Sequence, residues 1–457
     1  MGQQNVAWAV LAALLLLSSC SPTPADEAAR EALSKQSVGV VRLPSGDIVL
    51  SHPLELPAGA QDLEVRGSDS TRIVAGPGFQ GKALIIVGNA KNVTFADFTI
   101  DGSRDAVNKP LELAPPENAF RVWYDNNGIL ADQVTGLTIE RVTFRNVVAF
   151  PILVSRSSAV RIHDVQVSDS GSLDAKSRNN ATGGIVLEEG TSDFEVRNSI
   201  FRNVRGNALW THSLLTSPQL SNGVFAENKF ERIGRDAIQV GHAKQVKVEN
   251  NTGREVGYPF EIVDVEHGGT PVAVDTAGDV EGAAYTRNEF DEINGKCFDL
   301  DGFHDGVVAD NSCVNRGKAS DYPHGHFGIV MNNTNPNTHA NNVTIQGNLI
   351  DGAKYGGLFL MGSNNTVTNN RFQNLNLALC NESSQGCLYK ADEPNMLQAG
   401  IYIGAGVARK EPAAGNEIRG NRITGHKMSA RCILAGPGVV LSANTVRTNI
   451  CQETTGQ

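Results

Sequence analysis

The chain has 457 residues, a formal net charge of −10, 19% charged residues, 6% aromatics and 47 glycines. The acid excess excludes a nucleic-acid binder that works through a basic surface, and it opposes attraction to anionic lipid. The composition is that of a folded, turn-rich chain rather than a disordered one.

Residues 8–20 read WAVLAALLLLSSC, and the polar SPTPADE follows. The apolar run is too short to span a bilayer and has the shape of a secretory signal. Leu17-Ser18-Ser19-Cys20 resembles a bacterial lipobox. That resemblance implies a signal over 1–20, a lipid on Cys20 that attaches the chain to a membrane, and outer-membrane sorting, because Ser21 rather than Asp follows the cysteine. Met1 to Asn5 holds no Lys or Arg. Residues 21–37 read as a linker.

From about 38 to 451 one short pattern recurs. Asn-x-apolar appears as NSI at 198, NKF at 228, NEF at 288, NSC at 311, NLI at 348, NRF at 370, NRI at 421 and NTV at 444, with a weaker NNT at Asn250. Several neighbouring copies lie 22 or 23 residues apart, and wider gaps are one period plus an insertion. Short alternating runs such as VTIQG and LFL are separated by Gly and Asn, which tolerate positive φ. Period-two alternation between such turns predicts strands, and no stretch between about 40 and 450 keeps helical spacing over a dozen residues. Three strands per period predict a coil of a right-handed parallel β-helix. The fold class is therefore all-β: one solenoid domain over 38–451 with long loop insertions, then a tail at 452–457. Stacked coils bury a column of Val, Ile, Leu and Phe, and equivalent Asn side chains form a ladder along one turn. The opening VVRLPSGDIVLSHPLELPAGAQDLEV resembles the first coils of pectin-lyase-like β-helices, which implies an N-terminal cap over the core.

Aligning the second strand of each coil by its inward apolar pair gives triplets centred on Trp210, Gln239, Glu261, Asp299, Val330, Phe359 and Tyr402. These central residues point outward as one file. Two residues further along lie His212, Gly241, Val263, Asp301, Asn332, Met361 and Gly404. In KCFDLDGFHDG (296–306), Asp299 and Asp301 share the outward face because Phe298 and Leu300 point inward. Glu261 is expected one rung away, with Cβ atoms roughly 5 Å apart, and Asp301 roughly 6.5–7 Å along the strand. Close acids split their pKa values, and both glycosidase spacings are within reach. The expected roles are Asp299 as general acid, with Asp301 and Glu261 activating water; these could be permuted. Trp210, Phe359 and Tyr402 supply rings for sugar faces, and Gln239, Tyr322 and Asn332 supply polar contacts. A solvated acidic face that only discourages edge pairing explains the same acids without chemistry.

His304 and Asp305 follow the strand at a turn, where they could orient substrate or modulate Asp301. DYPHGHFGIVMNN (321–333) brings His324 and His326 toward Asp299 as proton partners. GRDAIQV (234–240) and GHFGIVM (325–331) resemble the GDDxIxI and GHG segments of polygalacturonase-type glycoside hydrolases, with Arg235 in place of an acid. DYPHGH resembles the Asp-Pro-His segment of alginate C5-epimerases, with Tyr322 interposed. The second resemblance implies lyase or epimerase chemistry on a uronate, whose carboxylate needs a Lys, an Arg or Ca²⁺. Lys296, Lys318, Lys354 and Arg371 are the candidates at turns, and the acid cluster itself could hold Ca²⁺.

Cys297, Cys313, Cys380, Cys387, Cys432 and Cys451 form an even set in the C-terminal third. In an exported chain the simplest pairing is local, 297–313, 380–387 and 432–451. No CxxC supports zinc. Long excursions at 103–126, 169–182, 263–282 and 376–398 are where specificity is expected to lie, with 263–282 (Asp264, Glu266 and His267) walling one side of the groove and Trp123 and Tyr124 the N-terminal side. The resulting expectation is an exported polysaccharide-processing enzyme, first a glycoside hydrolase and second a uronate lyase or epimerase. A non-catalytic carbohydrate-binding or surface-structural solenoid is the alternative of a different class.

Overall fold

The computed structural model describes residues 24–107, 110–264, 269–381, 387, 396–406 and 408–454. Cys20, Glu266 and His267 lie outside them. Every strand pairing among the described residues is parallel, and each strand hydrogen-bonds the equivalent strand one coil before and one coil after. Thus Val186 sits between Leu153 and Trp210, and Ile345 between Val308 and Val367. Alternation sends one set of side chains into the coil. Ile152, Ile185, Leu209, Ile238, Val274, Phe298, Ile329, Leu358 and Ile401 are all shut from solvent and form one continuous column.

The Asn ladder explains why the coils keep register. Asn228 donates from Nδ2 to Oδ1 of Asn251 at 3.1 Å, and the chain continues through Asn288, Asn311, Asn348, Asn370, Asn421 and Asn449 at 2.9–3.0 Å. Each side chain also donates to a core-strand carbonyl, as Asn311 does to Tyr285 at 2.9 Å. Both amide hydrogens and the carbonyl are thereby satisfied in a dry interior.

Three copies of the motif are out of step with this ladder. Asn198 and Asn250 adopt left-handed φ of 51° and 56° and point away, while Ser199 and Asn251 take the rungs. Asn444 belongs to a second ladder with Asn365 and Asn416. The residue ahead of a rung must turn left-handed, as Asp310 and Asn369 do, so an Asn there is a turn former rather than a rung.

The stretch 21–37, read as a linker, contains a helix at Pro24–Lys35. Ala29 and Leu33 are buried against the first coils. Arg30 donates to the carbonyls of His52 and Pro53 at 2.7 Å. The short Ala/Leu spacing within a charged segment hid an amphipathic cap that closes the N-terminal end of the core. The three local disulfides are all formed: Cys297–Cys313, Cys380–Cys387 and Cys432–Cys451.

The excursion at 110–126 folds back over the outer face of the sheet. Phe120 and Tyr124 are buried and pack with Phe150 and Trp210. Trp210 is therefore the floor beneath this excursion and offers no ring to a groove. The segment 178–179 grips another excursion: Asn179 accepts from the Asp264 amide at 2.9 Å and donates through its own amide to Ile262 O at 2.6 Å.

Candidate active-site cleft

The outward file is Trp210, Gln239, Asp275, Asp299, Val330, Phe359 and Tyr402. Asp275, not Glu261, is the rung neighbour of Asp299. Glu261 lies in a 3₁₀ turn at Phe260–Ile262 within the excursion that leaves after Val256, and it is exposed. Phe260, which the apolar triplet placed inward, is 43% exposed. The coil resumes at Val272–Glu281, where Ala273 and Val274 join the core and Asp275 faces outward. The sequence signal was present in PVAVDT, a β-branched alternating run; Phe-Glu-Ile gave the same apolar spacing without strand neighbours.

Asp275 and Asp299 are joined by Asp236 and Lys296. Asp236 lies two residues before strand Ile238–Glu249, and its Oδ1 accepts the Val272 amide at 2.9 Å. Asp275 accepts from the Gln239 side chain, whose Oε1 accepts Asn207 Nδ2 at 2.8 Å. Gln239 is thus buried scaffolding for Asp275. The Lys296 ammonium rests on Asp299 Oδ2, and both side chains are nearly enclosed. The other Asp299 oxygen is shielded from solvent and has no hydrogen-bond partner among the described residues.

Burial pushes Asp236 up to about 6, against the pull of Arg235 beside it. Burial likewise lifts Asp275 well above the usual carboxylate range, and the neighbouring charges of Asp236 and Asp299 add to it. Burial by itself would lower Lys296, but the attraction of Asp299 and the other two acids leaves it raised. The cluster therefore contains a firmly charged ammonium beside two acids, Asp236 and Asp275, that hold their protons more tightly than usual. A Ca²⁺ at these acids would have to displace that ammonium.

Beside this cluster opens a cleft of ≈ 520 Å³, whose lining includes Lys296, His324, His326, Asn332, Tyr355 and Phe359. The Asn332 side-chain oxygen is buried without a partner among the described residues. Burial, with the positive charges of Lys296 and Lys354 behind it, drives the His326 imidazole down to about 3, so it is neutral at physiological pH. His324 is lowered too, mainly by burial; its amide donates to Asn294 Oδ1 at 2.8 Å and its Nε2 lies 3.3 Å from Phe260 O. Lys354 donates to the carbonyls of Tyr322 and Pro323 at 3.0 and 2.8 Å, and sits 5.7 Å from the Tyr355 ring centre.

The remaining expected site residues lie elsewhere or serve other contacts. Asp301 is outward on the same strand, but Thr334 takes both its oxygens, one through an amide at 2.7 Å and one through its hydroxyl. Burial raises Asp301, partly offset by those bonds. His304 is bracketed by Asp305 at 2.7 Å and Asp279 at 2.9 Å, and Asp305 also accepts from Asn342. These residues form a separate surface group at the turn. Tyr322 is buried, donates to Glu292 and accepts the Gly317 amide at 2.7 Å. Tyr402 stacks on Phe359 at 5.9 Å, and at 2% and 1% exposed neither presents to solvent the ring face that the sequence predicts. Asp236, Asp275 and Tyr355 are the site residues the sequence reading passed over.

These coils define the chain as a right-handed parallel β-helix. The family described as "Right handed beta helix region" matches residues 83–264. Among solved structures, the chain is similar to the DFA-IIIase of Arthrobacter chlorophenolicus A6 in complex with DFA-III, at 14% identity and a TM-score of 0.52, covering 92% of this chain and 89% of that one. It is also similar to the hyperthermoactive exopolygalacturonase of Thermotoga maritima, at 13% identity and a TM-score of 0.50, covering 73% and 83%. The A-module of the Azotobacter vinelandii mannuronan C-5 epimerase AlgE6 aligns over 95% of both chains at 12% identity, with a TM-score of 0.44. No curated protein matches the sequence. At these identities the likeness establishes the fold.

Proposed function

We propose that the protein is a polysaccharide-processing enzyme working at this cleft, and that its reaction is glycoside hydrolysis. The observation that carries the reading is the Asp275–Asp299 pair. The two are register neighbours on adjacent rungs, so their Cβ atoms are roughly 5 Å apart, which puts a carboxyl separation of roughly 5–5.5 Å, as in retaining glycosidases, within their reach. Asp275 holds its proton above the usual range and suits the general acid. Asp299 bears the Lys296 ammonium and has one oxygen without a partner among the described residues, which suits the carboxylate that attacks or stabilises the sugar cation. Tyr355 offers a ring at the cleft wall, and Phe359, 1% exposed, is buried in that wall. The test is release of reducing ends from a panel of plant, algal and bacterial polysaccharides. Asp299→Asn should abolish it while glycan binding persists; unchanged release by that variant would end the hydrolase reading.

A second reading is favoured by one observation. The cleft itself is lined by Lys296 and two histidines, rather than by the acids, which sit behind the lysine. Such a lining suits a uronate carboxylate, with lyase or epimerase chemistry. Ultraviolet absorbance of an unsaturated uronate, or proton exchange at C5 without chain cleavage, would select it.

We further propose that the chain is exported and anchored by a lipid on Cys20. Support comes from the apolar run before that cysteine and from three disulfides, which persist in an oxidising compartment. Palmitate labelling of the expressed full chain, lost in Cys20→Ala, tests it.

A further inference from the structure

Three coils toward the N-terminus from Asp299, beneath the 110–126 excursion, lies a second cluster that the cleft chemistry does not use. Glu188 and His212 end strands Ile185–Glu188 and Leu209–His212 and are register partners. Both therefore point outward one strand spacing apart. Glu189 follows at a left-handed φ of 55°, which brings a second carboxylate to the same end of the strand. One ligating atom from each of Glu188, Glu189 and His212 lies within 4.8 Å of the others.

The three side chains are held in place by partners outside the cluster. Glu188 is fully buried and accepts the Phe120 and Arg121 amides at 2.7 and 3.0 Å. Glu189 accepts the Leu214 amide at 3.0 Å and the Ser217 hydroxyl. The His212 ring is stacked on Phe120 at 3.9 Å, with an interplanar angle of 10°. Yet His212 Nδ1 is sealed from solvent and has no hydrogen-bond partner among the described residues, and the same is true of His242 Nδ1. The His242 Nε2 lies 3.2 Å from Ser217 O, next to the hydroxyl that orients Glu189.

A buried imidazole nitrogen left unpartnered, on a ring that stands beside two oriented carboxylates, is costly unless something fills the gap. We propose that Glu188, Glu189 and His212 form a site for a divalent transition cation of the zinc type, and that this cation fastens the 110–126 excursion to the sheet. Two carboxylates balance the double positive charge, and the imidazole selects such a metal over Ca²⁺ or Mg²⁺. Zinc bonds of about 2.0–2.2 Å require the three ligand atoms to close by roughly 1 Å, with water or His242 completing the shell. The Phe120 and Arg121 amides act as the orienting outer contacts, which ties the metal to the excursion.

The experiment uses the full chain, stripped with chelator and titrated with zinc chloride in a calorimeter, with Co²⁺ absorption as a second readout. Saturable binding of one equivalent is expected, together with slower protease cleavage within 110–126. Glu189→Gln keeps an oxygen for the Leu214 amide but loses the charge, and should weaken zinc by about tenfold or more. His212→Ala should do the same and abolish the Co²⁺ signature; if that variant fails to fold, Glu189→Gln decides. Absence of a one-equivalent transition, equal affinity in Glu189→Gln, or cleavage of the excursion indifferent to zinc would each overturn the proposal.

Discussion

Lys296 is seated among Asp236, Asp275 and Asp299, with Arg235 3.6 Å from Asp236, and Lys296→Met keeps its apolar stem while removing the charge. Both members of the Lys296–Asp299 pair are nearly enclosed, with side-chain exposures of 14% and 15%. Breaking a buried pair from one side costs roughly 3–5 kcal/mol, because the surviving charge is left uncompensated. The cost should depend on pH. Without the ammonium, the folded-state pKa values of Asp236 and Asp275 rise further above the unfolded value of about 3.9. A carboxyl raised in the folded state binds more protons there than in the unfolded chain, so its contribution is fully present at low pH and is lost as pH rises through the folded pKa. Each proton taken up recovers about 1.4 kcal/mol per pH unit. Between pH 7.5 and pH 5 the variant should therefore recover most of its deficit, leaving about 1 kcal/mol. Thermal and urea unfolding of wild type and variant at the two pH values measures this. An equal deficit at both would refute the electrostatic reasoning and assign the loss to packing of the lysine stem.

The wild type should itself be more stable near pH 5 than near pH 7.5, since Asp236 sits at about 6 and Asp275 is also raised; Asp236→Asn should flatten that slope in a pH series of unfolding curves, and an unaltered slope would count against the assignment. Asn311→Ala removes two bonds donated by its amide and two accepted by its oxygen. It leaves buried groups unpaired, so a loss of about 3 kcal/mol or more is expected in thermal melts, and a loss under about 1 would contradict the ladder's role. Replacing Cys297 and Cys313 together by Ala opens a link spanning 16 residues and should cost about 3 kcal/mol in urea unfolding. Phe120→Ala should expose Trp210, now 8% accessible, and shift its fluorescence to the red; an unmoved spectrum would show that the excursion does not cover it.

Strand alternation, the Asn-Gly turns and the period of 22–23 residues specified the coil, because each is a local requirement repeated often enough to average out exceptions. The even, late cysteines specified their own pairing once the coils were stacked, since neighbours in sequence become neighbours in space. The outward position of Asp299 followed from Phe298 and Leu300 alone. Its partner did not. Whether Phe260-Glu261-Ile262 or Val274-Asp275-Thr276 occupies the next rung depends on where the excursion leaves the coil, and that is decided by contacts such as Asn179 with Ile262 and Asp264, about 85 residues apart in the chain. Trp210 and Tyr402 carry the pattern of exposed rings, yet an excursion and a neighbouring ring cover them. Local periodicity fixes which side of a strand a residue faces; only the long-range fold decides what then covers that side, and so which outward residues meet solvent, an ion or a substrate.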